Sequence, residues 1–323
     1  MNQSRRRALS AVAAATLVAA GGRAGAQPEG PVRLIVPFTP GTGIDIIARQ
    51  IQPPLAKMLG RPVVVDNRPG ASGNIGAEAV VRAAPDGNTL LVSVNTLVMS
   101  RALYPNLGFD PVRDLQPVTL LSRGTLMLVA SAASGITTVQ DLLARAKARP
   151  GALNYASPGS GTPHHLAMEL FKNQTRSFIT HIPYRGTGPA VTDLLGGQVD
   201  LMFLPIHVAL QHVKGGRLRA LAVSGEQANP LLPDVPPLRA LGLGQIDVDM
   251  WYGLFAPRGT PAALVQQLST GLAGIVADAD VKAEFQNQGM LPMSGTPAQF
   301  GQLIERDAQR WTRIIRDQHI TAD

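Results

Sequence analysis

The 323-residue chain contains no cysteine. This absence excludes disulfide bonds, thiolate metal sites, a cysteine nucleophile and a lipid-modified cysteine anchor. Aromatic residues make up only 4% of the chain, and no basic run is interleaved with them, so no nucleic-acid partner is expected. With 45% hydrophobic residues, a chain of this length can still bury the cores of two ordinary domains without disulfide bonds.

The amino-terminal residues have the features of a signal peptide and not of a folded domain. A positively charged segment, Arg5 to Arg7, precedes an apolar run over 8–20, and Ala24-Gly25-Ala26 matches a cleavage site. Because the apolar run is too short to cross a bilayer, we predict that residues 1–26 are removed and that the protein is exported to the periplasm. Ser4-Arg5-Arg6 leaves the Sec and twin-arginine export routes both open.

Cleavage at that point removes much of the positive charge of the chain. The full sequence has 29 basic and 22 acidic residues, a net charge of +7, whereas the mature chain would have 25 basic residues and a net charge of +3. This mild positive balance gives no argument for nucleic-acid binding and would suit an acidic ligand.

Short apolar segments alternate with helical patterns along the mature chain. A strand predicted over 32–36 is followed by a helix over 44–59, and the alternation restarts with a strand over 126–130. Such alternation is typical of βαβ units on a largely parallel sheet. We therefore predict an α/β fold of two lobes, each with a mainly parallel sheet flanked by helices. Residues 27–124 and 248–323 are assigned to lobe 1, and residues 125–247 to lobe 2.

Two short segments of the chain nearly repeat each other. Thr39-Pro40-Gly41-Thr42-Gly43 and Ser157-Pro158-Gly159-Ser160-Gly161 each follow an apolar strand and precede a helix start. Backbone N–H groups at a helix start have no partner within the helix, and the helix dipole favours an anion there. We expect the two loops to face each other across one cleft and to bind a small acidic molecule.

Several side chains at strand ends or helix starts are further candidates for the cleft. Asp45, in the first helical turn, either stabilises the helix dipole or accepts a hydrogen bond from the ligand. Phe38 follows the first strand, and ligands of open α/β sheets collect at the carboxyl ends of strands. Arg185 is able to pair with a carboxylate, and Asp200 is assigned to the hinge or the cleft wall. The other candidates at the border of the cleft are Asn74, which also suits an N-cap, and the strand-end residues Ser93, Asn95 and Thr96.

The motifs of common enzymes are incomplete in this chain. The glycine loops lack the lysine of a phosphate-binding P-loop, and Gly41-Thr42-Gly43 lacks the third glycine of a dinucleotide fingerprint. His164-His165 does not have metal-binding spacing, since adjacent helical side chains point about 100° apart. We therefore expect no cofactor and no metal. A periplasmic hydrolase that uses Ser157 or Ser160 with one of these histidines stays open as an alternative, although the spacing of a nucleophile elbow is missing.

Many separated segments of the mature chain match one protein family. They are Ile35–Gly41 with Asp45, Asp66–Ala71 with Gly73–Gly76, Pro85–Gly87, Asn154–Ser157 with Gly159, Gly161 and Thr162, His165–Ala167, Pro183–Gly186 with Pro189 and Ala190, Leu194–Asp200, Leu218–Val223 and Trp251–Pro257. In these motifs, which extend over essentially the whole mature chain, the sequence resembles the Bug-type solute receptors. These receptors are the periplasmic substrate-binding components of tripartite tricarboxylate transporters.

The resemblance implies a two-lobed periplasmic binding protein of the type II, Venus-flytrap fold that closes on a small carboxylate, an organic acid or an amino acid, without transforming it. The loops at 38–45 and 157–162 would hold the carboxylate through backbone amides and ordered water, and Asp45 matches an aspartate of the family. The implied partners are the membrane components of the transporter, and we expect a monomer. The predicted ligand-binding residues are Phe38, Thr39, Gly41, Thr42, Gly43, Asp45, Asn74, Ser93, Asn95, Ser157, Gly159, Ser160, Gly161, Thr162, His165, Tyr184, Arg185 and Asp200.

The first glycine loop departs from the pattern of the family. Thr42 stands where the family often has a glycine, and Ile44 replaces a commonly polar residue, so the pocket is expected to differ in size from that of relatives. A receptor that serves a signalling system instead of a transporter would have the same sequence features. This alternative stays open beside the hydrolase.

Overall fold

A computed structural model of the protein describes residues 30–104, 106–225 and 227–321, and the predicted signal peptide lies outside these ranges. The strands are β1 (Val32–Val36), β2 (Val63–Asn67), β3 (Thr89–Val94), β4 (Leu115–Gly124), β5 (Leu126–Ser131), β6 (Asn154–Ser157), β7 (Thr180–Pro183), β8 (Leu201–Pro205), β9 (Leu218–Val223), β10 (Met250–Pro257) and β11 (Met290–Pro292). The α-helices are α1 (Gly43–Leu59), α2 (Asn74–Val81), α3 (Thr96–Leu103), α4 (Val139–Ala148), α5 (Pro163–Thr175), α6 (Thr187–Leu195), α7 (Ile206–Lys214), α8 (Ala262–Ala277), α9 (Ala279–Asn287) and α10 (Pro297–Asp317).

The strands form two sheets, and the part of the protein around each sheet is called a lobe below. Lobe 1 contains a six-stranded sheet in the order β11-β4-β10-β3-β1-β2, and lobe 2 a five-stranded sheet in the order β7-β6-β8-β5-β9. The chain passes from the first sheet to the second at Thr125, between β4 and β5, and returns between β9 and β10. This is the two-lobed α/β architecture expected from the sequence. The lobe boundaries at 124/125 and 247/248 stay a prediction.

Both sheets are mixed, so the expectation of mainly parallel sheets was wrong in that detail. In lobe 1, β1 pairs in parallel with β2 and β3, but β10 runs antiparallel to β3 and β4. In lobe 2, β6 is parallel to β7 and β8, whereas β5 is antiparallel to β8 and β9. Every antiparallel pair includes a strand next to a connection between the lobes. A strand that the chain enters from the other lobe is not preceded by a crossover helix of its own sheet, so it need not run parallel to its neighbours. The alternation of strands and helices along the sequence does not reveal the direction of such a strand.

The elements that lead into the glycine loops agree with the sequence predictions. The strand over 32–36 is confirmed, and the helix predicted from residue 44 begins one residue earlier, at Gly43. Two helices that follow strands were not predicted, because α3 and α7 begin directly after Asn95 and Pro205, with no glycine loop to mark the change.

Strand β5 shows how lobe 2 is held between two apolar layers. Leu126, Leu128 and Ala130 belong to a cluster of buried residues that is continuous with the core of lobe 1, while Met127 and Val129 point into a second cluster on the other face of the sheet.

Within the described ranges, no helix is long and apolar enough to cross a bilayer.

Candidate ligand-binding site

Two helices, one from each lobe, begin at the same cavity. Helix α1 begins after Thr42, and helix α5 begins with Pro163 after Thr162. The two threonines have nearly the same backbone conformation, φ −78° with ψ 161° and φ −78° with ψ 157°, and neither side chain caps its helix. Their hydroxyls instead donate to the carbonyl three residues earlier, at 3.0 and 2.7 Å. The first-turn N–H groups of both helices are therefore free of side-chain caps.

The cavity between these helix starts, called the inner cavity below, is small and mostly apolar. Its volume is about 30 Å³, which leaves room for water but is well below the size of a typical ligand pocket. It is lined by Phe38, Thr42, Gly43, Ile44, Val94, Thr96, Thr162, His164, Thr187, Pro205, Val208, Met250 and Tyr252. None of these described lining residues is an Asp, Glu, Lys or Arg. An anion in the cavity would therefore meet helix N-termini and hydroxyl groups and no buried negative charge.

Several polar atoms at the inner cavity are buried without a hydrogen-bond partner among the described residues. They are the Thr96 hydroxyl, both ring nitrogens of His164 and the Nε2 atom of His207. Burial lowers the pKa of His164 to about 3, with a further contribution from repulsion by His207. Burial also lowers the pKa of His207 to about 4 and raises that of the Tyr252 phenol. Buried polar groups are nearly always satisfied in proteins, so these atoms indicate a place for a polar ligand or water.

Gly43 lies at a crowded point of the inner cavity. A Cβ atom on this residue would lie 2.5 Å from Cε1 and 2.6 Å from Nε2 of His207, and 2.9 Å from the hydroxyl of Tyr252. Only a glycine at this helix start lets the two rings approach so closely.

A wider groove, called the mouth groove below, shares Phe38 as a lining residue with the inner cavity. Its volume is about 440 Å³, and among the described residues Arg185 is the one ionised side chain that lines it. The residues that line it are Phe38, Thr39, Pro69, Gly70, Ala71, Ser72, Gly73, Tyr104, Pro158, Gly159, Ser160, Pro183, Tyr184, Arg185 and Gly186. Both lobes contribute to the groove, which therefore lies at the border between them.

Hydrogen bonds across the mouth groove join the two lobes. Ser72 Oγ and the Tyr104 hydroxyl of lobe 1 both donate to the carbonyl of Ser160 in lobe 2, at 2.8 and 3.1 Å. The backbone at Ala71 and Ser72 is in the left-handed region, with φ of 46° and 54°, which is costly for residues other than glycine. The turn is thus held in a strained conformation that points Ser72 at the opposite lobe.

Asp45 lies behind the first glycine loop and not in the inner cavity. Its Oδ2 accepts hydrogen bonds from the Gly41 N–H and from Arg49 Nε, both at 2.9 Å, and its Oδ1 accepts one from Asn67 Nδ2 at 2.9 Å. Burial raises the pKa of Asp45, but the bonds from Arg49, Gly41 and Asn67 outweigh it, so that the pKa lies below its usual value. Both carboxylate oxygens already have partners, so the residue fixes the loop.

His165 has a corresponding position behind the second loop. Its Nδ1 accepts a hydrogen bond from the Gly161 N–H at 3.1 Å, and its ring stacks on that of His181 with 4.4 Å between centroids. The hydroxyl of Ser157 lies 2.7 Å from Nε2 of His181. His165 therefore does not line the inner cavity, whereas its neighbour His164 does.

The remaining predicted site residues are not among those that line the inner cavity. Asn74 is the first residue of α2 and lines a separate surface pocket, and Ser93 is buried in β3. Asn95 donates to the carbonyl of Asp249 at 3.0 Å. Asp200 exchanges hydrogen bonds with Asn154, accepting from its N–H and donating its own N–H to the side chain, both at 2.9 Å. Tyr184 lines the mouth groove, where its hydroxyl donates to Asp193 at 2.7 Å.

The list of predicted ligand-binding residues missed four polar residues that line or adjoin the inner cavity. His207 follows the carboxyl end of β8, so the strand-end rule could have found it. Thr187 is the first residue of α6, which follows a strand and a short loop, so the same rule could have found it. Tyr252 lies within a strand, and His164 is adjacent to the histidine that was chosen, so local sequence gives no signal for either.

Comparison with known proteins agrees with this architecture. The model of the tripartite tricarboxylate transporter family receptors matches residues 47–320. Protein BugT of Bordetella pertussis is 36% identical over 320 residues, which cover 98% of each chain.

Two solved structures superpose closely. Rpa4515 from R. palustris, solved with adipate, has 32% identity and a TM-score of 0.87 over 91% of this chain and 99% of its own. MatC from Rhodopseudomonas palustris, solved with bound malate, has 32% identity and a TM-score of 0.83 over 88% of this chain and 98% of its own. With a family match over most of its length and the two-lobed fold of periplasmic binding proteins, the chain belongs to the tripartite tricarboxylate transporter receptor family.

Proposed function

We propose that the protein captures a small carboxylate between its lobes in the periplasm and delivers it to the membrane components of a tripartite tricarboxylate-type transporter. The observation that carries the proposal is the pair of uncapped helix starts, α1 and α5, at one cavity without an acidic lining residue. The carboxylate ligands of Rpa4515 and MatC support the same chemical class. The protein acts by binding as a monomer and does not transform its ligand.

Binding requires the lobes to move apart. A cavity of about 30 Å³ is far smaller than the usual site of a small organic molecule, so an organic acid reaches the helix starts only from an open form. The bonds from Ser72 and Tyr104 to Ser160 then stabilise the closed form around the ligand. Arg185 at the mouth attracts anions from solution.

The proposal predicts that a carboxylate raises the melting temperature of dialysed protein. A ligand at a hundred times its Kd adds about 2.7 kcal/mol to the free energy of unfolding, which corresponds to several degrees for a chain of this size. We expect this shift in a thermal denaturation screen of mono-, di- and tricarboxylates, amino acids and aromatic acids, followed by titration calorimetry. If no acid of the panel shifts the melting temperature, the proposal fails.

The bonds across the mouth groove give a second prediction. We expect Ser72→Ala and Tyr104→Phe each to weaken binding about two- to tenfold, because one hydrogen bond of about 0.5–1.5 kcal/mol is lost from the closed form alone. Ser134→Ala is the matched control, since that hydroxyl donates to the carbonyl of Ser131 within lobe 2, at 2.7 Å. Affinities measured by calorimetry should separate the first two variants from the control. Equal affinities in all three variants would show that these bonds do not favour closure.

A transporter and a signalling system would use the same closed form, and they differ in the membrane protein that recognises it. We expect ligand-loaded protein to capture permease subunits of the transporter type from membranes of its source. Capture of a sensor kinase instead would redirect the proposal to signalling.

A further inference from the structure

Three polar rings from different parts of the chain lie at the inner cavity, and two of them, those of His207 and Tyr252, pack against Gly43. His164 comes from α5 and His207 from α7, both in lobe 2, and Tyr252 comes from β10 in lobe 1. His164 is 6% exposed, lines the cavity and has neither ring nitrogen bonded within the described residues. His207 is half-buried as a residue, but its Nε2 is buried, unpartnered and packed against Gly43.

The two imidazoles are uncharged in the closed form. Burial holds the pKa of each well below neutrality, and the repulsion between the rings adds to this effect at His164. The titratable group facing them from lobe 1 is the Tyr252 phenol, which burial keeps neutral. Asp45 of α1 is bonded to Arg49, Gly41 and Asn67, so it does not supply a counter-charge.

A neutral imidazole presents one N–H donor and one nitrogen acceptor. A carboxylate only accepts hydrogen bonds, so it would leave the acceptor nitrogens of both rings unsatisfied in a buried place. A hydroxyl group both donates and accepts, and it therefore matches a pair of neutral imidazoles. With the carboxylate at the helix starts, the rings lie where a neighbouring substituent of the ligand would be.

We propose that His164 and His207 hydrogen-bond a hydroxyl group of the ligand, so that the protein binds hydroxycarboxylic acids in preference to the corresponding unsubstituted acids. This inference rests on the proposed function, because it presupposes a carboxylate in the inner cavity. It adds a second recognition element, made of side chains, to the backbone amides of the two loops.

The test compares acids that differ by one hydroxyl group. Lactate and propionate, 3-hydroxybutyrate and butyrate, and malate and succinate are titrated into the full mature protein and into His164→Leu. We expect the hydroxylated acid of at least one pair to bind the unaltered protein tenfold or more tighter, and His164→Leu to remove this preference. The ratio of the two affinities is the readout, since a merely structural loss would weaken both acids of a pair equally.

Further variants keep the test decisive. His164→Gln retains a donor and an acceptor and should preserve part of the preference. If His164→Leu does not fold, as judged by circular dichroism, His207→Leu on the neighbouring helix replaces it, with the same expected loss. His212→Leu is the control, because this residue of α7 lines neither the inner cavity nor the mouth groove.

Three results would overturn the inference. The first is equal binding of both acids in every pair, which would mean that only water occupies the space between the rings. The second is an unchanged preference in the leucine variants. The third is net proton uptake on binding at pH 6, measured from heats in buffers of different ionisation enthalpy, because uptake would mean that a charged imidazole pairs with a carboxylate. Proton release, or no net exchange, agrees with neutral rings.

These results also separate the inference from the proposed function. If acids bind without a preference for the hydroxyl, the protein is still a carboxylate receptor and only the role of the histidines is lost. If no acid of any pair or of the wider panel binds, the proposed function itself fails.

Discussion

Gly43→Ala is expected to weaken carboxylate binding about ten- to a hundredfold while the protein still folds. The added Cβ atom would lie within 2.9 Å of the Tyr252 hydroxyl and within 2.6 Å of two ring atoms of His207. Overpacking of this kind costs about 1–3 kcal/mol, and the part due to His207 of lobe 2 falls on the closed form alone, because Gly43 belongs to lobe 1. Alanine otherwise suits a helix better than glycine. Calorimetric titration with an acid that binds the unaltered protein measures the effect.

Gly274→Ala is the matched control for this substitution. Gly274 lies in α8, also within a helix, and a Cβ atom there would have no neighbour within 4 Å. We expect unchanged affinity and equal or slightly higher stability. Should Gly43→Ala bind the acid as tightly as the control does, the inner cavity is not the binding site.

Asp45→Ala is expected to lower the free energy of unfolding by about 2–4 kcal/mol. The substitution leaves the Gly41 N–H and the Asn67 amide without their acceptor, and an unsatisfied buried donor costs about 1–3 kcal/mol. The ion pair itself contributes little, since the Arg49 side chain is 51% exposed. The first glycine loop would also lose the contact that fixes it, so we expect weaker ligand binding. Urea denaturation and calorimetric titration measure the two effects.

Asp141→Ala separates the role of the loop from that of the ion pair. Asp141, in the first turn of α4, forms an ion pair with Arg145 at the same spacing of four residues, but both side chains are substantially exposed. We expect this control to lose less than about 1 kcal/mol, as exposed pairs usually do. An equal loss in both variants would mean that the bonds to Gly41 and Asn67 add nothing.

The contribution of Asp45 also has a defined pH dependence. Its pKa in the folded protein lies below the ordinary value of 3.8, so the stabilisation is fully present above that value and is lost as the pH falls through the lowered pKa. The difference in stability between the unaltered protein and Asp45→Ala should therefore be constant near neutral pH and should narrow below about pH 4.

The sequence was sufficient for the features that depend on neighbouring residues. Thr42 and Thr162 have almost identical backbone conformations because each stands between a glycine turn and a helix start in nearly the same local sequence. Thr138, which directly precedes α4, accepts the hydrogen bond of an N-cap, as threonine commonly does at that position. Local preferences of this kind are set within one or two turns of the chain, so a short segment is enough to reveal them.

For Asp45 and for the two adjacent histidines, the local sequence was not sufficient to assign a role. The sequence left open whether Asp45 meets the ligand or serves its own helix, and three bonds, one of them from the distant Asn67, use its carboxylate. His164 and His165 both follow the second glycine loop, and the packing of α5 in lobe 2 turns the first towards the cavity and the second towards His181. The two side chains point about 100° apart around the helix axis, so the rotation of the helix about this axis decides which of them faces the cavity. The sequence of the helix alone does not set that rotation.

By itself, the sequence determined the strand–loop–helix units, the two glycine loops and the family, because each depends on residue types at short spacing. Only the tertiary structure decided which rings meet at Gly43, which carbonyl Ser72 reaches and in which direction the connecting strands run. Those contacts join residues that are far apart in the sequence, and they form only when burial of apolar surface has packed the sheets and their helices together.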